Sequence, residues 1–253
     1  MREQNPPIWR FLVPNSFTAA SMLLGLASVA MSATGRFELA AWMVMWGVLL
    51  DKADGSAARL LKASSRFGAE FDSFADFIAF GVAPAALYYF KLESLALLSG
   101  MGKSLLLATT GLYVLAVAVR LARFNISEPP HGDRFFYGLP TTLMGALLAG
   151  FFLTWDKYGL GIGMLRMTPL VLFLAGLAMV SNIRIPKMKN RETLPGNIFQ
   201  YGNVAAAYIL GPLMLFPEYL FALPLIYMVW GVTICMLNPL PEEEDADDEV
   251  IHA

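Results

Sequence analysis

The chain has 253 residues, of which 57% are hydrophobic and only 15% charged, far from the roughly 25% charged of soluble domains, which excludes an ordinary soluble globule. The formal net charge of −2 hides an asymmetry: seven acids lie between Glu242 and Glu249, and without them 18 bases face 13 acids. One cysteine, Cys235, and two distant histidines, His131 and His252, exclude a disulfide frame and a Cys or His metal site, and nothing in the charge pattern indicates a nucleic-acid partner.

The first residues are polar and proline-rich, with no cleavable signal, and Pro7 to Leu12 predicts a short interfacial helix with Trp9 and Arg10 at the lipid boundary. Eight apolar runs come next, each near the ~20 residues that a bilayer requires. They cover 15–34, 37–62, 68–90, 104–125, 138–156, 167–183, 198–217 and 219–237. The fold expected is an all-α integral membrane protein of eight transmembrane helices. Residues 1–240 form one membrane domain and 241–253 a disordered, solvated acidic tail. Eight spans place both termini on one side. Twelve Lys and Arg lie on that side and five on the other, which predicts cytoplasmic termini.

The second and third runs carry the chemistry. They contain D-x-x-D-G-x-x-A-R, then eight residues, then G-x-x-x-D-x-x-x-D: Asp51, Asp54, Gly55, Ala58, Arg59, Gly68, Asp72 and Asp76. A charge at the bilayer centre costs roughly 2.5–3.5 kcal/mol on insertion scales, so four carboxylates imply a positive occupant. Carboxylate oxygens suit a hard divalent cation, Mg2+ or Mn2+. Asp51 and Asp54 stand at i, i+3 and Asp72 and Asp76 at i, i+4, so each pair shares a helix face. Ser64-Ser65-Arg66 turns the chain between them. Uncharged runs of 12 residues before Asp51 and 14 after Asp76 cover roughly 18 and 21 Å at 1.5 Å per residue. Both pairs therefore reach similar depth, in an intramembrane cavity that opens to the cytosol. A site of this kind often holds two metals. Gly55 and Gly68 suit close backbone approach to a ligand, and Arg59 and Arg66 offer charge to a diphosphate.

This eight-position pattern resembles the signature of the CDP-alcohol phosphotransferases, matching at every position. Further segments resemble the branch of that family whose acceptor is serine: Pro14 to Thr18 with Gly25, the run from Asp72 to Ala85, Arg120 to Asn125 followed by Gly138-Leu139-Pro140, and Val180-Ser181-Asn182. Thr141-Thr142 after that proline, and Arg184 after Asn182, depart from the pattern. The resemblance implies transfer of the phosphatidyl group of CDP-diacylglycerol to L-serine, giving phosphatidylserine and CMP, at a bacterial cytoplasmic membrane. It implies that Asp51, Asp54, Asp72 and Asp76 bind two Mg2+ or Mn2+ ions. It implies that Asp54, Gly55, Ala58, Arg59 and Gly68, with Arg66, surround the CDP moiety. Asp76, beside Asp72, is the implied base for the serine hydroxyl, and a homodimer is implied. Arg120, Arg123 and Asn125 are the candidates for binding serine, and Asn15 and Thr18 for touching the nucleotide or lipid head. Two other readings share parts of the pattern: the same chemistry with choline, inositol phosphate or glycerol 3-phosphate as acceptor, and a cation transporter, whose path Arg59 would obstruct.

Overall fold

The structure is a computed structural model and describes residues 9–96, 98–126, 135–186 and 194–237. The acidic tail and Arg134, Lys187, Lys189 and Arg191 lie outside these residues. Helices α1 (Trp9–Ala33) and α2 (Phe37–Leu61) form an antiparallel pair. A continuous rod comes next: α3 (Arg66–Asp76), a π-helical segment (Phe77–Val82) and α4 (Ala83–Ser94). Then come α5 (Met101–Ile126), β1 (Phe135–Tyr137), α6 (Thr141–Tyr158), the single turn α7 (Gly163–Arg166), α8 (Thr168–Val180), β2 (Arg184–Pro186), α9 (Leu194–Leu210) and α10 (Pro217–Leu237).

Among the described residues, four helical segments are long and apolar enough to cross a membrane: α1, the α3–α4 rod, α5 and α10. The other expected spans correspond to α2, which carries Glu38, Asp51, Lys52, Asp54 and Arg59, and to the shorter α6, α8 and α9. Three expectations change. Trp9 to Leu12 form no separate interfacial helix but the first turn of α1, which continues through Pro14. The seventh run breaks at Leu210, because a turn at 211–214 precedes Pro217, which sits at the first position of α10. The third is an addition: the chain is mostly helical, as expected of an all-α membrane protein, but β1 and β2 pair antiparallel, Phe136 opposite Ile185, giving loop backbone groups partners that no helix supplies.

In lipid, apolar contact carries little driving force, so close backbone packing and hydrogen bonds hold helices together. Helix α1 buries Thr18, Ser21, Gly25, Ser28 and Ser32 along one seam. Ser21 donates to the Gly47 carbonyl at 3.2 Å and Ser28 to that of Ala40 at 2.8 Å, tying α1 to α2. On the same seam Gly25 meets the π-helical segment so closely that a Cβ would stand 2.7 Å from Ala79 Cα.

The π-helical segment has a local cause. Pro84 has no N–H to give the Phe80 carbonyl four residues earlier. The helix widens, Ala83 N–H reaches back to Ile78 O, and the buried Tyr113 hydroxyl donates to Phe80 O at 2.8 Å. The bend before α6 is equally constrained. Gly138 has φ +75°, its N–H donates to Ile183 O at 2.8 Å, and a Cβ there would lie 2.1 Å from Met179 O. Leu139 N–H donates to Ala178 O at 3.1 Å. These bonds fix where α6 begins.

Tyr113→Phe leaves Phe80 O buried without a partner and is expected to cost about 1–2 kcal/mol, read as a lower Tm of the purified protein in detergent. Gly138→Ala meets both a strained left-handed backbone angle and a backbone oxygen, and is expected to lower the Tm further than Tyr113→Phe in the same assay.

Candidate active site

The turn between α2 and α3 is closed by short-range chemistry. Lys62 takes a left-handed conformation, and Ala63 N–H donates to Ala58 O at 2.9 Å, ending α2. Ser65 caps α3 by accepting from Gly68 N–H at 3.0 Å. The chain thus reverses direction, and α3 packs against α1. Asp51 of α2 and Asp72 and Asp76 of α3 converge, each offering an oxygen within 4.8 Å of the others.

Asp54 stands outside that group of three. It is buried, and Thr18 of α1 donates to its Oδ2 at 2.8 Å. Asn15, one turn earlier on α1, brings its side-chain oxygen to Gly68, 3.4 Å from where a Cβ would lie. The two α1 residues singled out in the sequence thus touch the two halves of the eight-position pattern. At the other face of α2, Arg59 reaches back beside Gly55, with a nitrogen 3.6 Å from where a Cβ would lie, and donates to Ser56 Oγ at 3.4 Å. Arg59 and Arg66 are both exposed, one near the end of α2 and one at the start of α3.

The three candidates on α5 part company. Arg120 is buried, stacks its guanidinium 5.3 Å from the Phe124 ring, and donates from Nη1 to Thr141 Oγ1 at 3.0 Å. Thr141, fully buried at the first position of α6, donates in turn to Asp76 Oδ2 at 3.0 Å. Thr142 sits beside Asp51. Arg123 instead closes the end of α8, donating to Val180 O at 3.1 Å and to Asn182 Oδ1 at 2.6 Å. Asn125 donates to Ser73 Oγ at 3.0 Å and to Glu70 Oε2 at 3.2 Å. The structure brings Arg120 to the carboxylates and gives Arg123 and Asn125 partners elsewhere.

Three ionised carboxylates this close repel by roughly 3.5 kcal/mol or more per pair at an effective dielectric of about 20. Arg120 is the one buried cation among the described residues, and it reaches the group through a threonine. The donor set therefore fits a hard divalent ion, with water or substrate oxygens completing its shell. Thr141 and Thr142 were visible in the sequence only as a departure after Gly138-Leu139-Pro140. Their position at a helix start following a glycine-proline bend was the signal that could have been used.

The family model for CDP-alcohol phosphatidyltransferase matches residues 11–180, and the chain belongs to this family. Eight of its curated relatives share one name. The chain is 40% identical over 180 residues to the CDP-diacylglycerol–serine O-phosphatidyltransferase of Helicobacter pylori, covering 71% of this chain and 73% of that protein. It is 32% identical over 216 residues to the enzyme of the same name from Methanocaldococcus jannaschii, with 85% and 90% covered. The Bacillus subtilis enzyme of that name is 33% identical over 177 residues, with 70% and 91% covered. Helices α9 and α10 lie beyond the stretch that the family model matches.

Asp51→Asn, Asp72→Asn and Asp76→Asn are each expected to weaken Mn2+ binding by at least about tenfold, the lower end of what losing even an outer partner of a metal ligand costs. Calorimetric titration of purified protein measures this, with Ser94→Ala at the distant end of α4 as the unaffected control.

Proposed function

We propose that this chain transfers the phosphatidyl group of CDP-diacylglycerol to the hydroxyl of L-serine, releasing CMP. The observation that carries the reading is the meeting of Asp51, Asp72 and Asp76 within 4.8 Å, on two helices joined by a tight turn and backed by one buried arginine. The names of the relatives supply the acceptor.

Asp51, Asp72 and Asp76, with Asp54 alongside, hold two divalent ions, Mg2+ or Mn2+. Such ions offset diphosphate charge and stabilise the leaving nucleotide. Arg59 and Arg66 approach the diphosphate from the exposed ends of α2 and α3, and Gly55, Ala58 and Gly68 leave room for the nucleotide to lie against backbone. Asn15 and Thr18 line the α1 side of the same space. Asp76 takes the proton of the serine hydroxyl as its oxygen attacks the lipid phosphorus, and the bond from that phosphorus to CMP breaks. Arg120 spends one of its N–H groups on Thr141 and has others for the serine carboxylate, which a guanidinium fork suits. Serine and CMP exchange through a cytosolic opening while the acyl chains stay in lipid. The arrangement is an eight-span body in a bacterial cytoplasmic membrane, both termini cytoplasmic, assembled as a homodimer, with residues 1–240 as the membrane domain and 241–253 as its acidic tail.

Purified protein with CDP-diacylglycerol and Mn2+ is expected to release CMP with serine and not with glycerol 3-phosphate, inositol phosphate or choline. Asp76→Asn is expected to cut that rate by about 10²–10⁴, the range for a lost general base. Arg120→Lys keeps the charge and loses the fork, and is expected to raise the KM for serine about tenfold, equal to roughly 1.4 kcal/mol. Serine-independent CMP release, or release driven by another alcohol, would overturn the assignment of the acceptor.

A further inference from the structure

Arg120, Thr141 and Asp76 form a buried chain with one permitted direction. Arginine can only donate, so Thr141 Oγ1 accepts from Arg120 Nη1 at 3.0 Å. The single hydroxyl hydrogen of Thr141 is then free for Asp76 Oδ2, also at 3.0 Å. Arg120 is 7% exposed, Thr141 0% and Asp76 8%, so both bonds are largely shielded from bulk solvent. Both are charge-assisted, and in a buried chain each polarises the next.

The chain solves a problem that a direct contact would create. An arginine next to a carboxylate tends to grip both of its oxygens in a bidentate fork. Asp76 gripped in that way would have a lone pair on each oxygen tied to the guanidinium, leaving only the less favourable directions for a cation or for the proton of an incoming alcohol. One threonine between them lets Arg120 supply charge to the carboxylate group while engaging only Oδ2. We propose that Thr141 is a positioning residue, a hydroxyl spacer that orients Asp76 and keeps Arg120 from capturing it. The backbone fixes the spacer's place: the bonds of Gly138 and Leu139 to Ile183 and Ala178 set the start of α6, and Thr141 is its first residue. Its catalytic part rests on the phosphatidyl-transfer reading; its structural part does not.

The test compares Thr141→Val, Thr141→Ala and Thr141→Ser in the full chain, reading Mn2+ affinity by calorimetry and, separately, kcat and KM for CMP release. The valine variant keeps the shape and loses the hydroxyl. It is expected to bind Mn2+ at least about fivefold more weakly and to lose at least about tenfold in kcat, near the span typical of partners of metal ligands. Its KM for CDP-diacylglycerol should stay near the wild-type value. The alanine variant leaves space for Arg120 to close on Asp76 and is expected to bind Mn2+ no better than the valine variant; it also serves as the hydroxyl-free protein if the valine variant does not fold. Serine restores the hydroxyl and should recover most of both losses. A hydroxyl-free variant with wild-type Mn2+ affinity and kcat overturns the proposal. So does a serine variant as impaired as the valine one, since the methyl rather than the hydroxyl would then matter. Wild-type protein that binds Mn2+ but releases no CMP with serine would sink the proposed reaction, while the Mn2+ arm would still decide the role of Thr141.

Discussion

Mutual repulsion among three carboxylates within 4.8 Å is the constraint around which the molecule is arranged. Helix faces meet such a demand only if something pins them together against it. Here the pins are short range on one side, where Lys62 and Ser65 shape the α2–α3 turn, and long range on the other, where the Ser-Gly seam of α1 holds both α2 and the π-helical segment. None of these contacts touches the carboxylates directly. Each removes a way for them to drift apart, so binding of a divalent cation acts on a site whose ordering cost has already been met by folding.

The positive charge of the site is graded by depth. Arg120 is buried behind Asp76, whereas Arg59 and Arg66 stand exposed near the end of α2 and at the start of α3. In the proposed reaction a diphosphate would meet exposed charge first and buried charge last. In that reaction the exposed pair would attract and the buried one orient, a division that solvent screening alone produces, since an exposed guanidinium holds a partner weakly and a buried one firmly.

Sequence was most informative where the determinants are local. The convergence of Asp51 with Asp72 and Asp76 comes from helical spacing and an intervening turn, and both are written in adjacent residues. The separation of Asp54 from the other three was not legible. It shares a face with Asp51 by spacing, but the Thr18 hydroxyl, 36 residues earlier, binds it. Arg120 and Arg123 are alike in sequence and one helical turn apart. Only the placement of α6 and α8 decides that one backs the carboxylates and the other closes a helix end. Two short strands, and an α1 that runs unbroken from Trp9, likewise depend on which loop groups and helix turns find partners across the fold. The widened turn was half legible: Pro84 inside an apolar run signals a freed carbonyl, but not that Tyr113 would take it.

That widened turn has a consequence for how the family's sequences can vary. Each residue in a helix rotates the next by about 100°, so a wide turn that absorbs one extra residue resets the phase between the helix before it and the helix after it. Asp72 and Asp76 lie before the reset, and Leu87, Tyr88 and Leu92, which are buried in the core, lie after it. The rod thus works as two helices clocked independently: one aimed by the needs of the carboxylates, the other by packing. Within Phe77–Val82 the buried Ala79, Phe80 and Gly81 are held by close packing, so substitutions are absorbed only at the other positions. Gain or loss of a single residue there would turn one functional face against the other, which makes the length of this stretch as strict an inheritance as its buried residues.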